Sequence, residues 1–124
     1  MDFAPYLTIP GLAGIHLETP VGHPSVVIFK DIPELTSRLI DALRHLSERG
    51  IHQLVFDVSG LPEERRDFYV TKIDRLAREG GLVRNRYVGL TEQNLQGAEP
   101  SWRALYAEQI KDSIPDAVAS FFQS

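Results

Sequence analysis

The stretch HQLVFDVSGLPEERRDFYV, residues 52–70, decides how the rest of the chain is read. It opens on a continuous apolar run, the pattern of a strand covered on both faces. Asp57, Ser59, Gly60 and Pro62 then turn the chain, and Glu63 and Glu64 fall where acids complement the start of a helix. A strand at 51–58 passing directly into a helix at 63–79 is one half of a strand–helix–strand unit, which requires a parallel neighbour. Phe68 or Tyr69, with Val70, Ile73, Leu76 and Ala77, forms the expected buried side of that helix, and Gly80-Gly81 its stop.

Upstream, Leu35, Leu39, Leu43 and Leu46 recur at four- and three-residue spacing and predict a helix over 32–49. Asp31 is its expected N-cap, Glu34 the capping-box partner, Pro33 a tolerated first-turn residue and Gly50 the stop. The β-branched run SVVIF, residues 25–29, reads as a core strand. TPVGHP reverses the chain between it and a strand at 15–18, and residues 6–9 suit a short edge strand. Downstream, residues 84–90 read as another core strand. A loop with Asn94, Gly97 and Pro100 leads to a helix at 100–109, and Ser113 caps a last helix through Phe122. The expected fold is α/β: a mixed, mainly parallel sheet of four to five strands with three to four helices, one domain over residues 1–124.

Composition narrows the function. Thirteen basic against seventeen acidic residues give a net charge of −4, which provides no general attraction to nucleic acid or anionic membrane. The absence of cysteine excludes disulfides, thiolate metal sites and cysteine catalysis. No run approaches the ~20 apolar residues of a spanning helix. MDFAPYLTIPGL lacks the basic and apolar regions of a signal peptide, so a cytoplasmic location is expected.

Asp57 and Ser59 end a predicted parallel strand beside a helix start, where ligands and phosphoryl groups often sit. The same residues are also ordinary turn formers. Asp57 and Thr91 ending successive strands suggests a response-regulator receiver. That reading fails, because only one acid (Asp31) follows the earlier strand and the strand–helix unit that should precede Asp57 is missing. The histidines at 16, 23, 45 and 52 have no metal-ligand spacing, and neither a phosphate loop nor a nucleophile elbow is present. No catalytic residue, metal or cofactor is expected. Between residues 62 and 103, eight basic residues face seven acidic ones, and pairs such as Asp74–Arg78 account for most of them.

IPELTSRLIDALRHLSERGIHQLVFDVSGL resembles the central helix and following strand of the sulfate-transporter and anti-sigma-factor-antagonist (STAS) domain. REGG with YVGLT resembles that family's next helix end and strand, and IKDSIPDAVASF its last short strand and helix. The resemblance spans residues 15–124 and implies a mixed sheet and a regulatory binding module. In the family's bacterial anti-sigma-factor antagonists, a serine in the turn after the VxDxSG step is phosphorylated by a partner kinase. Here LPEERRDFYV offers no serine or threonine before Thr71, and Ser59 matches the structural serine. The implied function is therefore non-enzymatic docking of a protein partner without the kinase switch, through Glu63, Glu64, Arg65, Arg66, Asp67 and Tyr69. Two alternatives stand beside it. One is a ligand sensor or small enzyme using a crevice of Asp57, Ser59, Thr91 and Asn94. The other is a homo-oligomer formed through residues 100–122, where Trp102, Phe121 and Phe122 otherwise need burial.

Overall fold

The computed structural model describes residues 6–12, 15–23, 25–30, 37–51, 53–79 and 84–122. The expected helix start around Asp31, Pro33, Glu34 and Leu35, His52 and the Gly80-Gly81 stop lie outside the described residues. The strands are β1 (Tyr6–Leu12), β2 (Ile15–Pro20), β3 (Val26–Phe29), β4 (Gln53–Asp57), β5 (Arg84–Val88) and β6 (Ile110–Lys111). The helices are α1 (Ser37–Glu48), α2 (Arg66–Glu79), α3 (Glu92–Gly97), α4 (Pro100–Tyr106) and α5 (Ile114–Ser120), with a 3₁₀ turn at Glu63–Arg65 leading into α2.

One mixed sheet holds the strands in chain order, β1 through β6. β1, β2 and β3 pair antiparallel; β3, β4, β5 and β6 pair parallel. The α/β class and the mixed, mainly parallel sheet are as expected; the two-residue β6 stands at the last short strand the resemblance implies, and the short α3 is added. Because β3, β4, β5 and β6 step in one direction, crossovers of one hand lay their helices on one face. Leu39, Leu43 and Leu46 of α1, Val70 and Ile73 of α2 and Tyr106 of α4 accordingly share one core with Phe29, Phe56 and Tyr87. Those three rings stack across the strands at 4.9 and 5.7 Å. α5 covers the other face, packing Ala117, Val118 and Phe121 on Val26, Ile28, Val55 and Val88. Burial on both sides explains the unbroken apolar runs of β3 and β4.

Gly50, at φ +76°, ends α1 as expected. Its N–H donates to Ser47 O and that of Ile51 to Leu46 O, the paired bonds of a Schellman motif, with Ile51 packed against the core. β1 runs beyond the predicted Ile9 to Leu12. Its register shifts between Ile9 and Leu12, where Pro10 has no N–H for the ladder.

Candidate functional site

The corner between β4 and α2 is built from polar groups that answer one another. Asp57, at the end of β4, is buried, and its Oδ1 accepts from Ser59 N at 3.0 Å and Ser59 Oγ at 2.6 Å. Together they form an Asx-type turn that starts the reversal. Gly89, past the end of β5, adopts φ +106° and lies so close to the turn that a Cβ there would sit 2.6 Å from Ser59 N. Val58 N donates to Val88 O at 2.8 Å, continuing the parallel ladder into the corner.

Arg66 closes this arrangement. Its Nε donates to Leu61 O at 3.0 Å, Nη1 to Gly89 O at 2.9 Å and Nη2 to Ser59 O at 2.9 Å. One planar guanidinium thus ties three backbone carbonyls from two strand ends, a use suited to its rigid fork of donors.

Thr91 and Asn94 form a second set. Thr91 N-caps α3 in a capping box: its Oγ accepts from Asn94 N at 3.2 Å, and Asn94 Oδ1 accepts from Thr91 N at 2.9 Å. The Thr91 hydroxyl lies 3.0 Å from both Glu63 Oε1 and Asn94 Oδ1, and Asn94 Nδ2 donates to Glu63 O. The structure therefore groups Asp57 with Ser59, and Thr91 with Asn94 and Glu63. In each group the polar atoms are directed at neighbouring backbone and side chains.

The outward side of α2 is different. Arg65 and Glu64 are exposed, while Asp67 Oδ1 accepts from Phe68 N within the first turn. The expected aromatic pair divides: Tyr69 packs against the core, whereas Phe68 is 46 % exposed. Phe68 lies between cations, with the Arg65 guanidinium 5.3 Å and the Lys72 ammonium 5.2 Å from its ring centre. Arg65 also lies 5.5 Å from the Tyr69 ring. The sequence reading leaves Phe68 or Tyr69 as the buried aromatic and does not single out Lys72, although Val70, Ile73 and Ala77 pointing inward turn positions 68, 72 and 75 outward at 3.6-residue periodicity.

Other tempting residues are engaged in structure. Asp74 is buried within α2; its carboxylate accepts from Tyr87 Oη at 3.1 Å and from Arg78 Nε at 2.7 Å. Burial first, then the Asp74 charge, pushes the Tyr87 hydroxyl pKa far up, and the hydrogen bond and charge of Asp74 raise that of Arg78. Arg84 and Arg86 seat on Phe121, at 5.5 and 4.6 Å, and Arg86 Nε donates to Ser120 Oγ. Burial, then Arg84, lowers the Arg86 pKa. His16 faces Glu18, and His23 lies against Phe122. Among the described residues no cluster of three His, Asp or Glu side chains has metal-ligating geometry, and no helix is long and apolar enough to cross a membrane.

In the 100–122 region Phe121 is buried, and Trp102 is half-buried with Nε1 donating to Thr71 Oγ at 2.8 Å. Leu105 is 63 % exposed, and Phe122 is also exposed. No family model, no curated protein and no solved structure matches the chain.

Proposed function

We propose that this chain is a non-enzymatic regulatory or scaffolding module of the STAS type that docks a protein partner on the first turns of α2. The observation that carries the reading is Phe68, an exposed aromatic held between Arg65 and Lys72. Aromatic and arginine side chains contribute most to interface energies, and a ring already positioned by its neighbours loses less freedom on binding. The order of elements supports the STAS assignment: extended N-terminal strands, a helix, a core strand ending in a tight corner, and a short last strand before a final helix.

The ligand-crevice alternative loses support from the same geometry, because Asp57, Ser59, Thr91 and Asn94 bond within their own turns and caps. Ser59 Oγ is drawn onto Asp57, in keeping with a structural serine and with docking that is not phospho-switched. Arg66, an expected partner contact, is occupied by three carbonyls. Docking in this reading rests on Arg65, Phe68 and Lys72, with Glu64 and Tyr69 beside them.

The test is site-specific photocross-linking in cells, with a photoreactive amino acid at position 68 or at exposed Ser101 of α4. A discrete adduct at 68 that is missing at 101 is expected. Identical adduct patterns at both positions, or none at 68, would overturn the docking reading.

A further inference from the structure

Resting on that docking reading, we infer that the partner presents an acidic segment bearing an aliphatic side chain, received along α2 and the groove beside it. Arg65, Phe68, Lys72 and Arg75 are all exposed along the outward side of α2 and its leading turn, with the acid Glu64 beside its start and Glu79 at the far end. Three cations thus line one helix face in a chain whose acids outnumber its bases by seventeen to thirteen. Asp74 and Arg78 neutralise each other on another side of the helix, so this bias is local to the stripe.

Beside the stripe, a groove of about 250 Å³ runs between α1 and α2. Leu43 and Leu76 line it, exposed Ile40 and Arg44 edge it, and Glu48 and Glu79 stand at its C-terminal end. Carboxylates over Arg65, Lys72 and Arg75, with an aliphatic group in the groove and contact to Phe68, would match both charge and apolarity. Such complementarity raises association rate and selects partners more than it adds affinity.

An anionic membrane fits less well. Roughly 1 kcal/mol per surface cation from three cations, plus one half-exposed ring, gives marginal anchoring. The remaining acidic surface opposes approach. A protein segment needs contact only with the stripe and the groove beside it.

The experiment is selection of a random twelve-residue peptide library on the wild-type protein. Enriched peptides are then synthesised and titrated by fluorescence anisotropy against wild type, R65E/K72E/R75E and F68A. Expected are net-negative peptides containing an aliphatic residue, with affinity reduced at least ~10-fold by the triple reversal and lowered by added salt. Circular dichroism verifies that the surface variants fold. Enrichment of neutral or basic peptides, no enrichment, or equal binding by the triple variant would overturn the inference. So would binding to phosphatidylserine vesicles that the triple reversal abolishes while peptides show no charge preference, since the stripe would then be a membrane contact. A discrete adduct at position 68 with failure of the charge test leaves docking standing and removes only the acidic class. Absence of the adduct removes the docking reading itself.

Discussion

Replacing Gly89 by alanine should destabilise the protein far more than the same change at Gly50, and the structure supplies both terms of the comparison. Both glycines have positive φ, +106° and +76°. At Gly50 nothing lies within 4 Å of an added Cβ, so the cost is backbone strain alone, about 1 kcal/mol after the stiffer unfolded chain is credited. At Gly89 the new Cβ meets Ser59 N at 2.6 Å and Ser59 Cα at 3.1 Å, atoms of a backbone that cannot rotate away. Relief requires parting the ends of β4 and β5, which stretches Val58 N–Val88 O and withdraws the Gly89 carbonyl from Arg66. Strain of 1–3 kcal/mol in a φ region reserved for glycine, plus at least one weakened bond, gives about 4 kcal/mol. For a chain of this size that is a fall in Tm of roughly 15 °C. Urea unfolding and calorimetry of both variants make the measurement. If G89A lies within about 1 kcal/mol of G50A, the close approach does not hold the corner together and the account is refuted.

Further outcomes follow from the other networks. Tyr87 is kept protonated in the fold while an unfolded tyrosine ionises near pH 10. The unfolded chain therefore binds fewer protons above that pH, and stability falls there by up to ~1.4 kcal/mol per pH unit for this group. Y87F should flatten that part of a urea-unfolding profile; an unchanged slope between pH 10 and 11 would count against the buried Tyr87–Asp74 pair. The exposed Leu105 follows Ala104, which with Leu95, Ala107 and Ile110 lines a groove of about 540 Å³. If residues 100–122 mediate self-association, sedimentation velocity at two concentrations will show a rise in sedimentation coefficient that L105D abolishes; identical single-species profiles dismiss it.

The fold was legible where periodicity and punctuation agreed. The stripe at Leu39, Leu43 and Leu46 with Gly50 behind it identified α1, and SVVIF and LVFDV identified β3 and β4, because burial on both faces leaves no position for polar residues. α3 carries too little periodicity in six residues to register as a helix, although the Thr91–Asn94 capping box that starts it is a local signal, three residues apart. β1 was cut short because Pro10-Gly11 signals a break, whereas the sheet absorbs them as an irregularity on its edge. At the site, the acid–serine step at 57–59 was recognisable as either turn or reaction centre. Sequence left the choice open, since it depends on whether Asp57 faces a cleft or its own loop. Phe68 and Tyr69 read alike as adjacent aromatics, although a single helical step separates a core position from an exposed one.

Arg65 and Arg66 show the same effect with identical side chains. Arg65 lies over exposed Phe68 and half-buried Tyr69, while Arg66 turns inward to three carbonyls. Charge alone does not distinguish them, but shape does. R66K keeps the cation and loses the planar fork, so one ammonium on a flexible stem cannot serve Ser59 O, Leu61 O and Gly89 O in their separate directions. Two of three charge-assisted bonds vanish. Water reaches part of this site, so the loss is about 2 kcal/mol rather than the sum of buried values. R65K keeps a cation above Phe68 and should leave stability within about 0.5 kcal/mol of wild type. Urea unfolding of both variants decides the matter. Equal stability of R66K and wild type would mean that Arg66 acts only as a charge, returning it to the docking surface beside Arg65.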